Sequence, residues 1–322
     1  MTLRINRRQS LKVLGAALAV PAGILSLRES AGPAQPVRWS GETLGALSSI
    51  TLWHPNRTVA ERAIRQVLVE VDRLESIFSL YRAHSQISQL NRDGRLDRPS
   101  GDLRAVLAES RRIADISRGA FDPTIQPLWM YYANTAPASG DGHALRQVLD
   151  KVDYAAIRDS GSVLRLEKPG MAISLNGIAQ GYITDRITEI LGNAGFETAM
   201  IELGETRALG AAPDGSPFSV GIVDPVQPGQ IGSEVALANA ALSVSGGYGT
   251  SVGGVQHIFD PHTGLSAGHL RQVAVMAPRA IWADALSTAI YVAGEAAAPS
   301  LLAAYPGASA ILFRTDGTQT RY

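Results

Sequence analysis

Cysteine is absent from this 322-residue chain. That excludes disulfides, thiolate metal sites, a cysteine nucleophile and lipid attachment at an N-terminal cysteine. Net charge is absent as well, with 29 Lys and Arg against 29 Asp and Glu. The balance is uneven along the chain. Residues 1–34 hold five basic residues (Arg4, Arg7, Arg8, Lys12, Arg28) and one acid (Glu29), so the rest carries 24 basic and 28 acidic residues, net −4. A mildly acidic body argues against nucleic acid, whose binding rests on phosphate neutralisation. The apolar run Val13 to Leu27 has 15 residues, short of the ~20 that a membrane-spanning helix needs. There is no internal repeat, and no Ser, His, Asp order stands in the context a hydrolytic triad requires.

What is present is a globular composition, 45% hydrophobic and 18% charged, with 32 Gly and 17 Pro to make many turns. The twin arginine Arg7-Arg8 ahead of the weakly apolar run reads as a Tat-type export signal over residues 1–34. Residues 35–322 then form the working domain. The expected location is the periplasm, with no stable membrane insertion once the signal is removed.

Hydrophobic spacing orders the body. A strand is expected over Leu44–Trp53. A helix opens at the capping box Thr58–Glu61, with Ile64, Val67, Leu68, Val71, Leu74 and Phe78 inward, and runs to Tyr81. Asp102 caps a second helix that ends at Gly119, and a third fits His143–Lys151. Strands are expected at Gly161–Leu166, Ala172–Leu175, Ala199–Leu203, Phe218–Val223, Val235–Leu237, Ala241–Ser245, Gln272–Met276 and Ala310–Arg314. Helices are expected at Gly181–Ala194 and Ile281–Val292. Several short strands follow one another directly. This favours an α+β fold, mixed or antiparallel sheets flanked by helices, with two intimately packed subdomains and a site between them.

Four segments carry more polar and Gly residues than a core needs. Gly119–Thr124 contains an Asp-Pro step and reads locally as a helix stop. Ser174–Asp185 joins a strand to a helix through glycines. Free N–H groups at such a helix start suit a phosphate, and bare carbonyls suit a hard cation. The third, His257–Gly264, holds His257, Asp260, His262 and Thr263, without a third soft ligand for zinc. On the helix Ala283–Ala289, Asp284 and Thr288 are four apart and share one face. They are oxygen donors suited to magnesium, and Asp284 reads equally well as a helix cap.

In this order, the four segments resemble the FAD:protein FMN transferase family (ApbE-type flavin transferases). Twin-arginine export without a lipobox cysteine resembles its NosX-type branch, which serves nitrous oxide reductase maturation. The resemblance implies Mg²⁺-dependent cleavage of FAD in a flavin cleft, transfer of FMN to a Thr or Ser hydroxyl of an acceptor protein, and release of AMP. By the branch resemblance, the acceptor is a NosR-like membrane flavoprotein. It further implies that Asp284, Thr288 and the carbonyl of Gly177 hold the metal. Leu44 and Tyr81 would meet the flavin. Ala120, Phe121, Asp122, Gln180, Ile183 and Phe259 would contact FAD, and His257 would take the acceptor proton. Asp260 either orients that imidazole or closes the turn. Three positions depart from the family pattern: Ser174 for Asp, Gln180 for Lys, and Glu202-Leu203-Gly204-Glu205 with one glycine fewer. Two other readings of the same residues are an FAD pyrophosphatase and a non-catalytic flavin-binding accessory.

Overall fold

The computed structural model describes residues 36–134, 142–227 and 229–322. The expected signal segment, residues 1–34, lies outside them. One eight-stranded antiparallel sheet carries the fold, and its spatial order is its chain order. Its strands are β1 Val37–Thr43, β2 Ala46–Leu52, β3 Ala199–Leu203, β4 Thr206–Leu209, β5 Ala241–Gly246, β6 Leu270–Ala277, β7 Ser309–Arg314 and β8 Gln319–Arg321. The helices are α1 Arg57–Phe78, α2 Gln86–Asp93, α3 Gly101–Ile116, α4 Gln126–Asn134, α5 Gly142–Leu149, α6 Ala179–Asn193, α7 Ala280–Ala293 and α8 Ala298–Ala303. Among the described residues no helix is long and apolar enough to cross a membrane.

Strand alternation sorts side chains between two cores. Ala199, Ile201, Val273, Val275, Ala310 and Leu312 join the larger core, together with Val67 of α1, Ile187 of α6 and Ile290 of α7. Met200, Ala274, Ile311 and Phe313 face the other way, onto the hairpin of Phe218–Val223 and Ile231–Leu237. A sheet covered on both faces needs apolar residues at successive positions. That is why Val273–Ala277 of β6 and Ala310–Phe313 of β7 read as unbroken apolar runs.

A three-stranded sheet of Arg95–Asp97, Val163–Leu166 and Ile157–Asp159 lies beside α2. Its Leu96, Leu164 and Leu166 belong to the same large core, so the smaller part of the fold shares its interior with the larger. The architecture is α+β, with antiparallel sheets flanked by helices.

Several expected boundaries move. The N-cap of α1 is Asn56, whose side chain accepts the Val59 N–H at 3.2 Å, not the Thr58 box. The helix ends at Phe78, three residues before Tyr81. Ser100 caps α3 by accepting the Leu103 N–H at 3.2 Å. Asp102 instead accepts the Tyr182 hydroxyl at 2.7 Å and pairs with Arg73 at 2.8 Å. Ala172–Leu175 is no strand. Asn91 Nδ2 donates to the Ile173 carbonyl at 2.8 Å, the Ile173 N–H donates to Asn91 Oδ1 at 2.6 Å, and the Ser174 N–H donates to the Pro123 carbonyl at 2.8 Å.

The cap assignment is testable by denaturant unfolding. Asn56→Ala is expected to cost about 1 kcal/mol, and Thr58→Ala only a small fraction of it. The reverse order would return the cap to Thr58.

Candidate active site

A cleft of about 320 Å³ gathers residues from all four polar segments: Ala120, Phe121 and Asp122; Ser174, Gly177 and Gln180; His257 and Phe259; Asp284 and Thr288. One wall comes from the chain between β2 and β3, the other from β5, α7 and the loop around His257.

The floor is acidic. Asp284 sits one turn into α7 and is 3% exposed. Its Oδ2 accepts the Gly181 N–H at 2.9 Å. Burial pushes its pKa up to about 7, and that single hydrogen bond only partly opposes it. Glu205, in the turn between β3 and β4, is also buried and lines the same cleft. Burial, and then the neighbouring Asp284 charge, hold it well above the usual carboxylate range. Among the described residues no Lys or Arg lines the cleft to offset either group. Two buried carboxylates without a base between them are costly as anions.

Oxygen donors surround this pair. Thr288 Oγ1 lies 3.2 Å from Ser245 Oγ, and Ser245 lies 2.7 Å from Ser287 Oγ. Ser287 Oγ donates to the Asp284 carbonyl at 2.8 Å and stands 3.1 Å from Ser243 Oγ. Gly177 presses against Thr288, where a Cβ would lie 3.1 Å from Oγ1. Buried carboxylates, hydroxyls and a bare-backbone glycine make a donor set that suits a hard divalent cation.

His257 faces the same space. Its Nδ1 is 3.1 Å from the Thr250 carbonyl oxygen. A carbonyl only accepts, so Nδ1 holds the proton and Nε2 keeps a free lone pair. Burial lowers the pKa, which keeps the ring neutral. Asp260 does not reach the imidazole. Its Oδ1 accepts the His262 N–H at 2.9 Å and its Oδ2 the Thr263 hydroxyl at 3.0 Å, which closes the turn. Asp122 is similarly engaged. Its Oδ1 accepts the Thr124 N–H at 2.7 Å and hydroxyl at 2.6 Å, and its Oδ2 the Tyr154 N–H at 3.1 Å. Burial raises its pKa all the same. Phe259 stacks on Tyr132 with ring centroids 4.8 Å apart. Gln180 lies over Gly204, whose φ of +95° a side chain would resist; a Cβ there would come within 2.9 Å of Gln180 Oε1.

Three expected contacts lie elsewhere. Leu44 stands in the β1–β2 turn and Tyr81 just past α1, both outside the cleft lining. The Leu44 N–H donates to Glu75 Oε1 at 2.7 Å, and Tyr81 is 64% exposed beside Gly45. Leu47, three residues past Leu44, does line the cleft. Ile183 is fully buried in the core, on the α6 face shared with Ala179 and Ile187, and does not reach the cleft. Glu205, Ser245 and the hydroxyls behind it went unassigned from sequence. Gly249-Thr250-Ser251-Val252-Gly253 does spell Gly-x-Ser-x-Gly, but Ser251 opens the two-residue strand Ser251–Val252 rather than a strand-to-helix elbow.

Comparison with known proteins follows the same outline. The model of the ApbE family matches residues 44–313. The FAD:protein FMN transferase of Haemophilus influenzae is 28% identical over 326 residues, spanning 95% of this chain and 94% of that one. The protein of the same name from Treponema pallidum is 30% identical over 280 residues, 76% and 77% of the two chains. Among solved structures, the flavin transferase ApbE from Vibrio cholerae has a TM-score of 0.80 at 23% identity, over 90% of this chain and 97% of that one. The ApbE protein of Thermotoga maritima has a TM-score of 0.76 at 26% identity, over 89% and 97%.

The raised pKa of Asp284 fixes the sign of a pH effect. Between about pH 4 and 7 the folded chain keeps a proton on Asp284 that the unfolded chain has released. Stability therefore falls as pH rises through that window and levels off above it. With divalent cations chelated, the melting temperature should be higher at pH 5 than at pH 8, and Asp284→Asn should flatten the difference. An unchanged slope in the variant would show that other groups set it. Ile183→Ala should cost ~2–5 kcal/mol of unfolding free energy and leave FAD affinity unaltered; a large loss of affinity at intact stability would return Ile183 to the cleft.

Proposed function

This chain belongs to the ApbE family, and from that premise we propose that it is an FAD:protein FMN transferase that needs Mg²⁺, modifies a Thr or Ser hydroxyl and releases AMP. One observation carries the metal requirement. The cleft presents two buried carboxylates and, among the described residues, no Lys or Arg. A dinucleotide diphosphate adds negative charge beside groups that burial already disfavours as anions, and a cation between them would relieve both. Asp284, Thr288 and the Gly177 carbonyl are the residues that would hold it, with Glu205 adding charge nearby. A bound Mg²⁺ supplies charge neutralisation at the diphosphate as its P–O bond breaks.

The chain's own groups do the rest. Leu47 offers the flavin ring an apolar contact at the cleft wall. Ala120, Phe121, Asp122, Gln180 and Phe259 line the way to the carboxylates. The acceptor hydroxyl is a poor nucleophile at neutral pH, and His257 Nε2 is free to take its proton. The acceptor oxygen then bonds to the phosphorus on the FMN side, the P–O–P link breaks, and AMP leaves with the bridging oxygen. We assign the mature chain to the periplasm, exported on residues 1–34. Its acceptor is a NosR-like membrane flavoprotein, on the resemblance to the NosX-type branch.

Mass spectrometry of a candidate acceptor domain, incubated with the protein, FAD and Mg²⁺, tests this. The expected result is a gain of one FMN, lost with EDTA or in Asp284→Ala. In His257→Ala the gain should be slowed by roughly 10²–10⁴-fold. AMP appearing without any acceptor would mark an FAD pyrophosphatase, and tight FAD binding with no turnover a flavin-binding accessory.

A further inference from the structure

Asp185 lines no part of the cleft, and the reaction above leaves it unused. It is nonetheless a carboxylate only 5% exposed, on α6 one turn beyond Gly181. Its Oδ1 accepts the Ala280 N–H at 2.8 Å, and its Oδ2 accepts the Ile281 N–H at 3.2 Å. These are the first two residues of α7. That helix has no cap of its own, since Arg279 at the N-cap position makes no capping hydrogen bond. A carboxylate from another helix therefore satisfies the free N–H groups, at the end where the helix dipole favours negative charge. Arg279 and Arg207 lie 3.4 and 4.0 Å from the same carboxylate.

The contact is returned one turn along α7, where Asp284 accepts the Gly181 N–H at 2.9 Å. No side chain separates the helices there. A Cβ on Gly181 would lie 2.7 Å from the Ala280 carbonyl carbon and from Ile281 Cα. Three amide-to-carboxylate bonds, two into Asp185 and one in the opposite direction into Asp284, thus hold the height and rotation of the first turns of α7.

We propose that Asp185 is a positioning residue for the cation site: by capping α7 from α6 it sets where the Asp284 carboxylate and the Thr288 hydroxyl stand relative to Gly177. This rests on the reading of Asp284 as a cation ligand. The test measures Mn²⁺ affinity of the full chain by electron paramagnetic resonance, with FAD absent, beside amide exchange across residues 280–293 and the melting temperature. Asp185→Ala should weaken Mn²⁺ binding by about 10- to 100-fold, as loss of a ligand's support does. It should also speed exchange at the start of α7. Asp185→Asn keeps one acceptor oxygen, so its affinity should fall between the two, and it decides the matter if the alanine variant does not fold. A lowered melting temperature with unchanged Mn²⁺ affinity would reduce Asp185 to a stability role and overturn the inference, while leaving the cation assignment intact. Unchanged affinity in Asp284→Ala would instead overturn the cation assignment, and the inference with it.

Discussion

Where α6 crosses α7, Gly181 lets two helix backbones touch without a side chain between them. The crossing ties three parts of the molecule together. Behind it, α7 packs on β5 and β6 at the centre of the sheet. In front of it, the loop Ser174–Ile178 that leads into α6 forms one wall of the cleft. Within it, Asp284 is held by the Gly181 amide and cannot turn away from the cleft without breaking a buried hydrogen bond. The position of the acidic floor is therefore a property of helix packing, not of a loop.

That floor runs against the usual economy of a folded interior. Buried carboxylates are normally paired with bases. Here Asp284 and Glu205 are buried next to each other, and among the described residues hydroxyls and an amide answer them. Ser243, Ser245, Ser287 and Thr288 form a chain of hydroxyls along the same wall, each able to turn as donor or acceptor. Such a wall tolerates either protonation of the acids or a cation among them. Local instability of this kind is typical of places where binding compensates what folding leaves unfavourable.

The sequence made the parts with one clear period legible, and blurred those that depend on a distant partner. The apolar stripe of α1 and the short apolar runs of β3, β6 and β7 reveal themselves because burial repeats at fixed spacing. β1 and β8 lie at the sheet's two edges and are largely polar, so neither announced itself. Caps slipped by a residue or two, because Asn56, Thr58, Ser100 and Asp102 are all competent and only geometry chooses. Ala172–Leu175 has the apolarity of a strand, but Asn91 and the Pro123 carbonyl, both distant in sequence, take the hydrogen bonds of Ile173 and Ser174. The polar motifs located the cleft. Glu205 and Ser245 were not legible as site residues, because one sits in a tight turn and the other on a strand, and their partners in space come from α7. Ile183 shows the converse: it matches the family's pattern, but with Ala179 and Ile187 it is sealed in the core and opens nothing to the cleft.

The sheet's spatial order follows the chain, but one of its pairings closes a far longer loop than the others. Leu52 at the end of β2 pairs with Ala199 at the start of β3. All of α1 to α6 lies between them. Closing a long loop costs more chain entropy than closing a hairpin, and contacts of this kind govern how slowly a topology assembles. The same excursion carries one wall of the cleft, from Ala120 to Gln180, while the other wall begins at Gly204. The two walls therefore face each other only once β2 and β3 have joined. A ligand that grips both walls acts as a clasp on this pairing, and its binding energy opposes the opening of the join with the highest entropic cost in the sheet.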